Sequence, residues 1–209
     1  MNGRQKQKIV KQIIEGANSY NKYLNNRKIL ILYEKNVGIE DIEICFKPEH
    51  FSHLTGVIRS QSCKAKAFFA KCISSKLSLK DFELRSDGTT VQKAEVLLAA
   101  TQMPFNAKMI GPYARTGVSL YSEKLFGSTR YSIGAVLKNE EFVPNTLLNK
   151  DIRDIVTPWY KIVAIFAKDI NDKLYNEYTF CSSDDRIINY CKSHNLICND
   201  SDSWKRIKK

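Results

Sequence analysis

Residues 29–46, ILILYEKNVGIEDIEICF, decide the fold class. The run Ile29-Leu30-Ile31-Leu32-Tyr33 is too short for a helix and reads as a strand. A turn near Gly38 follows. Apolar and polar residues then alternate. Ile42, Ile44 and Phe46 share one face, and Asp41, Glu43 and Cys45 share the other. Side chains that alternate with period two mark a second strand.

On the N-terminal side of this pair, residues 4–25 read as an amphipathic helix. Ile9, Ile13, Ala17, Tyr20 and Leu24 recur at helical spacing beside Val10 and Ile14, while Lys6, Lys8, Lys11 and Lys22 point elsewhere. On the other side, residues 47–57, KPEHFSHLTGV, break both periods. Pro48 and Gly56 bracket a compact connection that holds His50 and His53. A helix follows over about 62–75, with Ala65, Phe68, Phe69 and Cys72 on one face. Ser78 with Asp81, and Thr89 with Gln92, have capping-box spacing. The second box, after the turn Asp87-Gly88, opens a helix that runs to about residue 102 and ends at Pro104.

Beyond residue 107 the chain reads as β-rich. Met109-Ile110, Val118–Tyr121 and Thr129–Leu137 form strands, with Tyr131, Ile133, Ala135 and Leu137 toward the core and Arg130 and Ser132 away from it. Residues 146–156 read as a short helical connection. Tyr160–Ala167 is apolar on both faces, as a central strand is, and pairs with Leu174–Phe180 across Asn171-Asp172. Residues 184–194 form a last amphipathic helix. Helices first and strands later make an α+β chain. The expected architecture is a body of residues 28–181, N-terminal helices on a small antiparallel sheet. Residues 1–27 add a basic helix, and residues 182–209 a C-terminal helix and basic tail.

The formal charge is +11. Arg4, Lys6, Lys8, Lys11, Lys22, Arg27 and Lys28 stand against Glu15 in the first 28 residues, a net of +6, and Lys205, Arg206, Lys208 and Lys209 add +4 at the other end. The stretch between carries only +1. Two basic ends predict attraction to a polyanion, foremost RNA, with DNA or a nucleoprotein as alternatives; a solubilising helix face and a frayed tail explain the same charges. No apolar run suggests a secretion signal or a membrane span, so the expected setting is cytoplasmic with no membrane partner. Six cysteines without a CxxC pair read as reduced core thiols. Cys181, Cys191, His194 and Cys198 match no standard zinc spacing, and Cys191 shares a helix face with Ile187 and Ile188, so core packing is the favoured reading.

GxxxxGK[ST], GxGxxG, HExxH and GxSxG are all absent, and carboxylates do not cluster as two-metal chemistry requires. No cofactor is expected. What remains is metal-free chemistry on RNA, in which a 2′-hydroxyl attacks the neighbouring phosphate. A histidine moves protons near neutral pH, and cations and hydroxyls hold the phosphate. His50, His53, Thr55, Tyr121, Lys124 and Arg130 are residue types that suit this.

Four blocks resemble one family. Phe46-Lys-Pro-Glu-His-Phe-Ser-His53-Leu-Thr55-Gly56 is similar to the FxHLTG signature of phage-borne proteins grouped with the barnase/EndoU/colicin/RelE-like nucleases. The same group is resembled by Leu79-Lys-Asp-Phe-Glu-Leu-Arg-Ser-Asp-Gly88-Thr89-Thr90, by Leu120-Tyr121-Ser-Glu-Lys124-Leu, and by Phe142-Val-Pro-Asn145-Thr-Leu-Leu-Asn-Lys-Asp151-Ile-Arg153-Asp154. Together they span about residues 28–170. The resemblance implies a metal-independent endoribonuclease of a phage or mobile element, a toxin or a tool against host or phage RNA. It places the acid/base at His53, with the Thr55 hydroxyl two residues on. By residue chemistry and position, Tyr121 and Lys124 of the third block would flank the scissile phosphate, and Arg130, facing away from the core on its strand, would hold it. With one motif histidine, a second proton carrier has to be Lys124 or Tyr121, or is absent. The alternative is a non-catalytic factor on the same fold that binds nucleic acid or nucleoprotein, for example to inhibit a host defence; an immunity protein or a defence protein is then the partner. In the bland reading, Gly56 makes a turn, Asn145 and Asp151 cap a short helix, and Arg153 pairs with Asp154 on the surface.

Overall fold

The computed structural model describes residues 3–36, 38–114, 121–182, 185–197 and 205–209. The opening helix, α1 (Gly3–Tyr23), buries Ile9, Ile13, Ala17 and Tyr20 on one face. The strand pair follows as β1 (Arg27–Lys35) and β2 (Gly38–Phe46), antiparallel over their full length. Residues 47–57 are more ordered than their broken periodicity suggests. A 3₁₀ turn (Pro48–His50) runs into the short helix α2 (Phe51–Thr55). Then come β3 (Ile58–Arg59), α3 (Ala65–Ile73), β4 (Phe82–Glu83), α4 (Thr89–Thr101) and α5 (Met103–Asn106). Pro104 thus lies inside a separate helical turn. The rest is β5 (Met109–Pro112), β6 (Lys124–Gly127), β7 (Ser132–Lys138), β8 (Glu141–Leu148), β9 (Tyr160–Asp169), β10 (Glu177–Cys181), α6 (Asp185–Ser193) and β11 (Lys205–Arg206).

The chain is α+β, but the sheet is neither small nor purely antiparallel. Nine strands run in the order β1-β2-β8-β7-β6-β5-β9-β10-β11, and β1 also pairs with β9. The pairing β1–β2–β8–β7–β6–β5–β9–β1 therefore closes on itself. The β2–β8 and β10–β11 contacts are parallel. As expected of a central strand, β9 is buried on both faces. So is the first half of β7, whose Ser132, Gly134 and Val136 are as enclosed as Ile133 and Ala135, while Leu137 is exposed. The strand β8 runs on to Leu148, into the stretch 146–156 where a helical connection is expected, and within that stretch Ile152–Asp154 make a 3₁₀ turn. The expected strand at Val118–Tyr121 lies, up to residue 120, outside the described residues.

One core face packs α1, α2, α3 and α4 on Ile29, Ile31, Ile44 and Ile133. Gly16 lets α1 meet α4 closely, since a Cβ there would lie 2.6 Å from Leu97. On the opposite face, Ile187 and Cys191 of α6 cover Leu30, Leu32 and Phe166, so Cys191 is a core residue. Among the described residues no cluster of three or more His, Cys, Asp or Glu could hold a metal, and Cys198 lies outside them. No described helix is long and apolar enough to cross a membrane.

The charged N-terminal segment is partly neutralised. Arg27 pairs with Glu177, and Lys28 reaches Glu43 at 2.8 Å and Glu141 at 2.9 Å. Arg4, Lys6, Lys8 and Lys22 stay exposed on α1.

Candidate active site

The site begins at the 47–57 connection. Lys47 N–H donates to His50 Nδ1 at 3.2 Å, and His50 N–H donates to the Lys47 carbonyl at 3.0 Å. Burial pushes the His50 pKa down to about 4, so its imidazole stays neutral and serves as a cap. Phe51 and Leu54 are buried, with Phe51 against Tyr20, Phe68 and Phe69. With residues 51 and 54 inward, a helical turn presents position 53 to solvent, and His53 is exposed. Thr55 is fully buried. Its hydroxyl donates to the Ser52 carbonyl at 2.8 Å and accepts from Val57 N–H at 3.4 Å. It closes the turn, and the structure places this hydroxyl inside the protein and not at the surface where a phosphate is expected to meet it.

Gly56 ends α2 at φ 70°, a left-handed conformation that favours glycine. A Cβ there would also lie 2.7 Å from Lys93 Cδ. The lysine stem thus lies directly on the Gly56 backbone. Its Nζ donates to the His53 carbonyl and to Thr146 Oγ1, each at 3.2 Å. One turn earlier on α4, the buried Thr90 hydroxyl donates to the Gly56 carbonyl at 2.8 Å and accepts from Arg85 N–H at 3.1 Å. Asp87 starts the helix by accepting from Thr89 N–H at 2.9 Å, a role expected of Thr89 and Gln92. The start of α4 is therefore strapped to the end of α2.

Between these elements and β8 opens a cleft of about 630 Å³. His53, Arg59, Lys64, Arg85, Lys93, Thr89, Asn145 and Thr146 line it, and no Asp or Glu does. Among the described residues none of the four cations forms an ion pair with a carboxylate. Arg59 is steadied by donating to the Cys63 carbonyl at 2.9 Å. Partial desolvation, then the charges of Arg59, Lys93 and Lys138, lower the His53 pKa below the usual histidine range. At neutral pH His53 is thus an unprotonated base that a ligand can reach. Burial lowers the Lys93 pKa to about 8; Arg85 acts in the same direction and Asp87 opposes it. On the far side of His53 lies a second recess, about 340 Å³, lined by Lys47, Glu49, His50, Lys138 and Glu141. His53 borders both.

A family model described as phage-Barnase-EndoU-ColicinE5/D-RelE like nuclease4 (PBECR4) matches residues 12–200. The chain belongs to this family. The match begins within α1 and extends past α6, wider at both ends than the span of about 28–170 expected from the motifs. No curated protein and no solved structure matches the chain.

The PBECR4 blocks converge only in part. His53 and Gly56 of the first block, Arg85 and Thr89 of the second, and Asn145 and Thr146 of the fourth line one cleft. The third block touches its rim. The Tyr121 carbonyl accepts from Asn145 Nδ2, Ser122 Oγ donates to Asn145 Oδ1 at 2.9 Å, and the Tyr121 side chain stands free with 83% exposure. Asn145 ties β8 to the segment before β6 and is not a helix cap. Lys124 does not line the cleft. It lies on β6 opposite Pro112 and Ala135, and its charge acts on Glu40. Arg130 lies in the turn before β7, not on the strand, and borders a separate recess with Glu95, Asp151 and Asp154. Arg130 thus stands beside carboxylates and outside the cleft that His53 borders. Arg153 pairs with Asp151 at 2.6 Å, where Asp154 was expected.

Four cations escaped the sequence reading. Arg85 stood inside a quoted block, and Lys93 is four residues after Thr89, one helical turn on, so both carried a signal. Arg59 lies on the two-residue strand β3, too short to show a period, and Lys64 lies just before α3, whose periodic residues mark only its core face.

Proposed function

We propose that this chain is a metal-independent endoribonuclease acting in the cationic cleft, with His53 as the base. The observation that carries the proposal is a reachable, unprotonated histidine in a cleft with four cations and no carboxylate. Such a lining attracts a phosphodiester and offers a hard metal ion no anionic ligand. In the proposed step His53 takes the proton of a 2′-hydroxyl. The 2′-oxygen bonds to phosphorus, the bond to the 5′-oxygen breaks, and that oxygen takes a proton from solvent. A 2′,3′-cyclic phosphate and a 5′-hydroxyl result. The cations stabilise the charge that builds on phosphorus-bound oxygens. Tyr121, at the rim, offers an aromatic face for an unstacked base, which favours single strands.

The test is cleavage of labelled single-stranded RNA and matched DNA in EDTA. The wild type is expected to cut RNA alone and leave the cyclic phosphate. His53→Ala is expected to lose about 10²–10⁴-fold in rate, the usual worth of a positioned base, while RNA affinity changes little. Equal cleavage by His53→Ala would refute the assignment. Tight, salt-sensitive binding with no cleavage would instead identify a nucleic-acid-binding factor on a nuclease scaffold.

A further inference from the structure

Lys93 sits at the floor of the cleft in an electrostatically incomplete state. The residue is only 9% exposed. Two of its three N–H bonds point at neutral acceptors, the His53 carbonyl and the Thr146 hydroxyl. A buried ammonium normally has a carboxylate partner or gives up its proton. Lys93 has no such partner among the described residues, and the groups around it deepen the deficit. Arg85, from the loop before α4, repels it, and Asp87 on the same loop attracts it less strongly. His53 on α2 is uncharged at neutral pH, and β8 contributes only the neutral Asn145 and Thr146. Arg59 and Lys64 add two more cations on the wall between β3 and α3. The lysine cannot relieve this by swinging away without losing its contact with the Gly56 backbone.

We infer that Lys93 is a phosphate-docking residue whose missing counterion is an oxyanion of the bound ligand, so that anion binding and protonation of this lysine are coupled. The nature of the ligand, a phosphodiester of RNA, rests on the function proposed above; the existence of the anion site does not. Arg85 would share the same oxyanion, and Thr146 keeps the ammonium aimed after the ligand leaves.

The coupling has a sign. In the empty cleft Lys93 loses its proton near pH 8. The protonated form binds the anion, so affinity is full below that pH and falls as pH rises through it. From pH 7 to pH 9.5 the protonated fraction drops about 30-fold, and the apparent affinity drops with it. His53 titrates below its ordinary range and is neutral at both pH values, so it contributes nothing to the change.

The experiment is calorimetric titration with sulfate, which itself does not titrate in this range, at pH 7 and 9.5. A 2′-O-methylated RNA strand, which cannot be cut, is titrated in parallel. The wild type is expected to lose about 30-fold in sulfate affinity at the higher pH. Lys93→Arg, which stays charged, is expected to bind alike at both, and Lys93→Met to bind weakly at both. A wild-type affinity independent of pH, or wild-type affinity in Lys93→Met, would overturn the inference. If Lys93→Met fails to fold, the wild type and Lys93→Arg still decide. Sulfate binding in the expected pattern without RNA binding would uphold the anion site and sink the RNA reading. RNA binding indifferent to Lys93 would do the reverse.

Discussion

Thr90→Val asks whether the start of α4 is held to α2 by hydrogen bonds or by packing. Thr90 is fully buried, and its hydroxyl serves two backbone groups, the Gly56 carbonyl at 2.8 Å and Arg85 N–H at 3.1 Å. Valine has nearly the same shape, so no cavity opens. Each buried group left without its partner costs about 1–3 kcal/mol. The Arg85 amide is only partly buried and regains some hydration, which puts the expected loss at about 2–4 kcal/mol. Thr90→Ser is the control. It keeps both hydrogen bonds and removes one methyl, at a cost of about 1 kcal/mol. Urea denaturation followed by circular dichroism reads both, with an unchanged m-value required for the comparison. Packing alone predicts that serine is worse than valine, and hydrogen bonding predicts the opposite order. A valine variant within about 0.5 kcal/mol of wild type, or a serine variant below it, would refute the strap. At temperatures where Thr90→Val remains folded, its RNA affinity is expected to fall, because Gly56 and Arg85 both line the cleft.

Gly56→Ala is expected to cost about 1–3 kcal/mol by the same assay, from the left-handed φ and the collision with Lys93 Cδ. Combining it with Lys93→Ala should cost less than the sum of the two single variants, because the second change removes the collision. The Lys93 pKa of about 8 lies below the ordinary 10.5, so the unfolded chain binds more protons between those values. Wild-type stability relative to Lys93→Met is therefore expected to rise from pH 8 to 10.5, by up to about 3 kcal/mol, and a flat difference would show that the lysine is not desolvated. Arg85→Ala should reduce the slope of log affinity against log salt by about one, since one phosphate contact is lost. If deleting residues 205–209 flattens that slope more than Arg85→Ala does, the basic tail and not the cleft is the main contact.

The α+β class, the opening helix, the β1–β2 pair and the two-sided burial of β9 were all legible in the sequence. Each rests on a local period, and the period a strand or helix imposes on its side chains survives in the order of residues. The size of the sheet was not legible. The β2–β8 contact joins segments about a hundred residues apart, and the alternation read along β7 does not reveal that its first half is enclosed on both faces. The motif singles out His53 as a candidate, and its exposure follows from Phe51 and Leu54 turning inward. The burial of Thr55 was not legible, because a motif records which residues occur together, not which way a hydroxyl points.

Charge shows the division most clearly. Counted along the chain, the basic field belongs to the two ends and the middle is almost neutral. In the fold, Arg27 and Lys28 are consumed by Glu177, Glu43 and Glu141. Arg59, Lys64, Arg85 and Lys93 meet around one cleft from which every carboxylate is missing. The sequence by itself determined which charges exist and that a histidine stands among turn residues. Only the tertiary structure decided which charges cancel and which add, because Coulomb interactions depend on distance in space and on burial, and neither is a property of position along the chain.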